Sequence, residues 1–534
     1  MQINNYTIKD YTELGATYQL VLPLSLEGLI PNDDSVRLLS HELEDLDYSK
    51  LYQAYSAKGR NPAVDPKTMF KILTYAYSQS IYSSRKIETA CRRDINFMWL
   101  LAGAKAPDHS TIARFRTGFL AEACEDLFYQ MVRRLASMGE LSRETVFIDG
   151  TKLEACANKY TFVWRKSVGK WEEKMFSNIE AAVLLVNQDY MQSFTVARNT
   201  RRIDLERITD FLGQYCKDHG IIFVHGRGKR KSVHQRYQEL FRRFLDRQLL
   251  YDLHNSRFNG RNSYSKTDVD ATFMHMKDDH MRNAQLKPGY NVQIGVDSGY
   301  IIGVDIFSDR NDVWTLVPFL KTMEERMGFA YPSITADSGY ESEEAYQYLE
   351  EKGQTPYIKP QTYEKWKKHS FKRDISKREN MSYDDVSDRY ICHAGNRLSR
   401  QYTRKQKSRS GYESEVTVYE CEDCSGCPYK EKCTKAKGNK RLYVSKEFIR
   451  KRQISYENIL SEKGILYRMN RSIQVEGAFG VLKNDYGFQR FLLRGKTKVK
   501  LEILLLSFGY NINKLHAKIQ TGQTGRHFFE VKTA

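Results

Sequence analysis

Thr145-Val146-Phe147-Ile148-Asp149-Gly150 is a short β-branched and aromatic run that stops at Asp-Gly. A run of this kind, with no helical stripe, reads as a buried strand whose end is exposed. Ser333-Ile334-Thr335-Ala336-Asp337 repeats the pattern further along and is followed by Ser338-Gly339-Tyr340. Between the two, Tyr290–Asp297 and Tyr300–Phe307 alternate like strands, and Asp297-Ser298-Gly299 supplies the turn chemistry of a hairpin. Asp312–Met327 and Glu341–Glu351 have helical periodicity, and Thr355–Ile358 reads as a last short strand before Pro360. The order strand, hairpin, helix, strand, helix, strand predicts a mixed α/β sheet with crossover helices.

Outward from that core, the first 140 residues read as helical. Asp65-Pro66 supplies a cap and a first-turn proline, and Met69, Ile72, Leu73 and Ala76 then follow one helical stripe. Ala121–Ala136 carries a second stripe through Leu127, Met131 and Leu135. Pro107–Arg116 reads as a cap and a short amphipathic helix, either the second helix of a helix-turn-helix or a packed helix with exposed arginines. Lys152–Leu253 reads as polar and aromatic helix, broken by a basic turn at Arg227–Lys231. Residues 361–452 are polar, basic, cysteine-bearing and weakly periodic, and read as an insertion; a helix at Ile465–Asn484 resumes the core and one at Val499–Ile519 closes it. The expected units are a helical domain at 1–140 for DNA binding or dimerisation and a core at 141–360 with a helical insertion at about 155–260. The basic insertion at 361–452 and the rest of the core at 453–534 follow. The element order fits a ribonuclease-H-like core better than an all-α or all-β fold.

The chain has 534 residues, enough for three or four compact units, and at 41% hydrophobic and 28% charged it reads as globular. No apolar run approaches the ~20 residues of a membrane helix, and Met1–Asp10 lacks a signal-peptide pattern. Nine cysteines, several unmatched, argue against a secreted disulfide scaffold, so a cytoplasmic, nucleoid-associated protein is expected. The formal net charge is +18, and it is uneven: −2 over 1–150, +2 over 151–360, +11 over 361–452 and +7 over 453–534. A surplus confined to the last third suits a surface that tracks phosphates, although a solvated lysine-rich loop region has the same composition.

The two strand-end aspartates, Asp149 and Asp337, are each followed by small residues that leave room for a ligand. Glu476 lies within Arg471–Lys483, and at α-helical spacing Glu476 and Lys483 share a face. Three carboxylates converging from two strands and a helix form an all-oxygen site suited to Mg²⁺ or Mn²⁺. Two such ions ~3.5–4 Å apart can activate an attacking oxygen and stabilise a leaving one. Arg471 and Lys483 would then hold phosphates. The bland alternative makes the aspartates turn formers and Glu476 part of a solvated face. Asp297, Asp305 and Glu154 are competing acids ranked lower, Asp297 as a turn residue.

Cys421, Cys424, Cys427 and Cys433 are closely spaced, with Cys392 upstream in Tyr390-Ile-Cys-His-Ala-Gly395. Four of these five would close a tetrahedral Zn²⁺ site; an iron–sulfur cluster is the second choice. Cys91, Cys124, Cys156 and Cys216 are isolated and read as packed hydrophobes. No His-based metal spacing and no phosphate-binding glycine loop appears, so ATP-driven chemistry is not indicated.

Phe147-Ile-Asp-Gly-Thr-Lys-Leu-Glu-Ala155 with Ala157–Trp164 resembles the first-aspartate block of bacterial insertion-sequence DDE transposases. Thr335–Tyr340 resembles their second-aspartate block, and Arg471–Lys483 their glutamate block. The resemblance runs from about residue 20 to 518 and is strongest to the group with a cysteine-bearing insertion before the glutamate. Pro107–Arg116 and Gly289–Gln293 match that group as well. It implies a ribonuclease-H-like fold in which Asp149, Asp337 and Glu476 bind metal ions. It also implies cutting of double-stranded DNA at terminal inverted repeats, strand transfer into a target, and a homodimer in a synaptic complex with no membrane. Lys483, Arg471, Arg468 and Tyr340 are the expected DNA- or phosphate-binding set. The Tyr-x2-Arg-x3-Glu-x6-Lys signature of some relatives would put a tyrosine and an arginine where Met469 and Ser472 stand. A catalytically silent DNA-binding descendant and a nuclease without strand transfer are the alternatives.

Overall fold

The computed structural model describes residues 25–56, 62–226, 228–276 and 285–530. The chain start and Arg227 of the basic turn lie outside the described residues. Eight strands precede residue 360: β1 (Thr145–Glu154), β2 (Phe162–Trp164), β3 (Ser263–Ser265), β4 (Thr272–His275), β5 (Leu286–Asp297), β6 (Tyr300–Phe307), β7 (Ser333–Ala336) and β8 (Thr355–Ile358). Six of them form one sheet in the order β4-β5-β1-β7-β8, with β6 also paired to β5. β5 is antiparallel to β1, β4 and β6, whereas β7 is parallel to β1 and β8 parallel to β7. This mixed α/β sheet is the expected class and is consistent with a ribonuclease-H-like fold.

The hairpin turns through Ser298 (φ 56°) and Gly299 (φ 82°), two left-handed residues whose twist matches the flanking strands. β1 runs past Gly150 because β5 stays alongside it, pairing Gly150 with Gln293 and Glu154 with Gly289. Lys152–Glu154 are therefore strand, not the start of a helix. The helical stretch proper comprises helices Arg165–Tyr190, Arg201–Asp218 and Val233–Phe258, which share an apolar core of their own.

The N-terminal helices and the sheet belong to one continuous core. Helices Pro66–Ser78 and Leu120–Ser137 pack on the closing helix Lys496–Gln520, where the Phe508 ring lies 5.2 Å from Phe70 and 5.5 Å from Phe128. A Cβ on Gly509 would sit 2.8 Å from Ser78 Cα, so only glycine permits that approach. Residue 140 thus marks a change of element type without a break in the core. His109–Arg114 passes through a π turn (Phe115–Phe119) directly into Leu120–Ser137. Arg116 is buried there and donates to the Tyr77 hydroxyl and the Tyr82 carbonyl, while Arg114 is exposed.

Residues 382–444 fold as a second, antiparallel sheet: β9 (Ser382–Asp384), β10 (Arg389–Ile391), β11 (Arg397–Lys407), β12 (Glu413–Cys421) and β13 (Arg441–Val444), paired in sequence. Its alternation is faint because β11 is open to water along most of its length and carries Arg400, Arg404, Lys405 and Lys407 there. The glutamate helix alternates in type: α over Glu462–Arg471, π over Ser472–Glu476, α over Gly477–Gly480 and π over Val481–Asp485. A π turn takes in more residues than an α turn, so the seven-residue spacing of Glu476 and Lys483 does not by itself set them on one face. Among the described residues no helix is long and apolar enough to cross a membrane.

Glu502, on the closing helix, is fully buried and accepts from the backbone N–H groups of Leu492 and Leu493, both at 3.0 Å. Burial pushes its carboxyl from 4.5 up to about 7. The folded protein therefore holds this proton more tightly than the unfolded chain, and stability falls as pH rises from 4.5 through about 7. Glu502→Gln is expected to remove about 3 kcal/mol of that pH dependence, read from denaturant midpoints across the interval.

Candidate active site

The parallel register of β1 and β7 sets Ile148 beside Ala336, and each strand delivers an aspartate at the next residue. Asp149 and Asp337 therefore stand side by side at one edge of the sheet, both half-buried. The third acid arrives from the π turn Ser472–Glu476, where Glu476 is exposed. Arg471, the last residue of the preceding α segment, joins the two sources. Its Nη1 lies 3.2 Å from Asp149 Oδ2 and its Nη2 3.2 Å from Glu476 Oε1. Ser472 Oγ donates to the other Glu476 oxygen at 3.1 Å.

Burial raises the Asp149 carboxyl above its ordinary range, and the nearby Asp337 and Asp312 raise it further. The Arg471 guanidinium and the Gly150 N–H, which donates to Asp149 Oδ1 at 2.8 Å, act in the opposite direction. The acids are arranged about a positive charge already.

Asp312 was not among the acids singled out from the sequence. Its Oδ1 accepts from Asn291 Nδ2 at 2.7 Å and from Gln293 Nε2 at 3.0 Å. The Tyr340 hydroxyl donates to Gln293 Oε1 in turn, and burial with Asp312 and Asp149 nearby holds that phenol protonated. A Cβ on Gly150 would collide with the Gln293 amide at 2.2 Å, which explains the glycine after the catalytic-strand aspartate. The signal for this network was present as the polar Asn291 and Gln293 inside an otherwise apolar strand. Tyr340 itself is 1% exposed, which corrects its expected place on a DNA-facing surface: it supports the site from beneath.

The other expected residues are placed as follows in the fold. Arg468 points to the Tyr363 ring, 5.9 Å away, and its buried Nε has no hydrogen-bond partner among the described residues. Lys483 is half-buried on the second π turn. Asp297 is wholly buried and accepts from Ser142 Oγ, the Arg143 N–H and the Tyr331 hydroxyl, a structural role at the hairpin. Asp305 pairs with Lys500 at 3.2 Å and Glu154 with Lys287 at 2.9 Å.

Two family comparisons bear on this arrangement. Residues 391–516, which hold the five clustered cysteines, Arg471, Glu476 and Lys483, match the transposase DDE domain. Residues 24–118 match a second transposase domain, DUF772. Together they indicate an insertion-sequence DDE transposase. This family implies an enzyme that cleaves nucleic acid. No curated protein and no solved structure matches the chain. Asp149 and Asp337 lie outside both matched stretches and rest on the sheet geometry.

The side chains of Asp149, Asp312, Asp337 and Glu476 offer oxygen atoms alone, the chemistry that suits a hard divalent cation. Among the described residues, no three His, Cys, Asp or Glu side chains already form a group that could hold a metal. At this edge the Arg471 guanidinium is the cation that spans Asp149 and Glu476. In the second sheet Cys392, Cys421, Cys424, Cys427 and Cys433 line one narrow cavity. All five are free thiols, and burial together with the neighbouring Cys424 and Cys392 pushes Cys421 up to about 12. Cys91, Cys124 and Cys216 are buried elsewhere, as packed hydrophobes should be.

Removing Arg471 takes away a charge that lowers the Asp149 carboxyl, so Arg471→Gln is expected to move the acid limb of the pH–rate profile upward. An unmoved limb, with rate alone reduced, would show that the guanidinium does not govern Asp149. Asp312→Ala is expected to cost about 10–100-fold in cleavage rate with the melting temperature little changed, the scale usual for a group that orients ligands.

Proposed function

We propose that this protein cuts double-stranded DNA at the terminal inverted repeats of its element and transfers the 3′ ends to a target. The reading is carried by the delivery of Asp149 and Asp337 from adjacent parallel strands to one edge, with Glu476 tied to Asp149 through Arg471. The core is read as ribonuclease-H-like and the acids as ligands of two Mg²⁺ ions. When bound, Mg²⁺ activates the attacking hydroxyl and neutralises charge on the phosphodiester.

The chain's own groups do the positioning. Gly150, without a side chain, leaves room for the Gln293 amide beside Asp149. The Asn291–Gln293–Asp312–Tyr340 network fixes the sheet edge so that little reorganisation accompanies the reaction. Arg471, which pairs with Asp149 and Glu476, would be free to take a phosphate by its two nitrogens if a metal stood between those carboxylates in its place. Residues 361–452, with the exposed cations of β11, form the main DNA-gripping surface, and the five thiols hold a structural Zn²⁺ with four of their number. Two copies act in a synaptic complex.

Nicking of a DNA carrying the cognate end should require Mg²⁺ or Mn²⁺ and fall by ~100-fold or more in Asp149→Asn, Asp337→Asn and Glu476→Gln, with DNA affinity retained. Persistent nicking in all three would remove the triad from the chemistry. Metal analysis of the purified chain should give one zinc, lost in the Cys424→Ser/Cys427→Ser double variant; a metal-free, fully folded chain would end the zinc assignment.

A further inference from the structure

The helical stretch inserted after β1 contains an open-sided groove of about 1100 Å³, above the ~300–1,000 Å³ typical of a small-molecule pocket. Its walls are the helices Arg165–Tyr190 and Val233–Phe258, and one end rests on the β2–β3 ribbon. Besides aliphatic side chains such as Val168, Met175 and Leu240, two kinds of side chain in its lining bear on what it could hold.

The first kind is aromatic and accessible. Trp171 is 55% exposed and Phe162 47%, although each borders a concave surface that could have covered it. Trp164 completes a ledge with Phe162 and rests 5.9 Å from Phe273 of β4, which pairs with β5. The ledge is therefore tied to the sheet that carries Asp149.

The second kind is cationic. Lys174 lies one turn beyond Trp171, its ammonium 5.7 Å from the indole. Arg243 and Arg247 face the groove from the opposite helix at i, i+4 spacing, and Lys266 closes it from the ribbon side. All four are exposed, and among the described residues none of the four forms an ion pair; Asp246 is the one acid in the lining. A groove-facing helical stripe would ordinarily be apolar. Here four cations interrupt the apolar lining, although residues 151–360 as a whole are nearly neutral.

We propose that this groove binds an unpaired DNA strand, its bases stacked on Trp171 and the Phe162–Trp164 ledge and its phosphates met by Lys174, Arg243, Arg247 and Lys266. Accessible rings interleaved with unneutralised cations are the pattern that grips single strands without reading sequence. A duplex keeps its base faces covered and has no use for the rings. An apolar peptide would leave four cations without partners. The inference rests on the DNA-processing reading and gives that enzyme a place for a strand separated at the cut end, one that neither the triad nor β11 provides.

The test uses the full chain and fluorescein-labelled oligothymidine of about 12 nucleotides, within the ~4–16 that such grooves cover, followed by anisotropy without added Mg²⁺. Trp171→Ala is expected to weaken single-strand binding about tenfold, and Trp171→Phe to keep it within about threefold, since the ring is what matters. Arg243→Glu/Arg247→Glu should weaken it as well and flatten its salt dependence. Affinity for a duplex of mixed sequence should be unchanged in all three. Unmodified protein that does not bind the oligothymidine, variants that bind it normally, or equal losses for duplex and single strand would each overturn the proposal. Mg²⁺-dependent nicking is measured in parallel. Nicking abolished by Asp149→Asn, beside groove variants with normal single-strand affinity, defeats the groove alone. Absent nicking, beside a tenfold loss in Trp171→Ala, defeats the cleavage reading alone.

Discussion

The parallel pairing of Ile148 with Ala336 is the constraint from which the site follows. Because side chains alternate along a strand, a slip of one residue would turn one aspartate toward the opposite face and dismantle the edge. That register is held by apolar burial on both strands: Val146, Phe147, Ile148 and Ile334 are all fully buried. The antiparallel partner then brings Gln293 under Gly150, and through it the support of Asp312 and Tyr340. The glutamate helix docks last in sequence, with Tyr467 wedged against Phe147 and Tyr357 of the same sheet.

Grouping several carboxylates at a partly buried edge is unfavourable, since burial and mutual repulsion both oppose their charged forms. Arg471 relieves this for Asp149 and Glu476 at once, through charge-assisted contacts of moderate length. A guanidinium is suited to the task because its planar fork can serve two acids and remains charged throughout. On the proposed reading, the same property would let it exchange carboxylates for a phosphate.

Much of this was legible in the sequence, for reasons that particular residues make plain. The start of β1 at Thr145, the strand Ser333–Ala336, the Ser298–Gly299 turn and the stripe through Met69 and Ala76 are local patterns and appear where expected, whereas β1 runs on to Glu154 because β5 stays alongside it. Asp312 was hidden because its partners Asn291 and Gln293 are distant in sequence and meet it only in the folded sheet. The π turns at Ser472–Glu476 and Val481–Asp485 were hidden because residue spacing assumes one helical pitch throughout. The second sheet was masked by β11, whose water-facing cations interrupt the alternation.

The close approach of Gly509 to Ser78 reaches beyond stability. The helices before residue 140 and the helix Lys496–Gln520 are two halves of one packing interface, contributed by segments far apart in the sequence. The sheet between them is enclosed only when both are present. A substitution that parts the two would therefore loosen the support of Asp149 and Asp337 from a distance, without touching either aspartate.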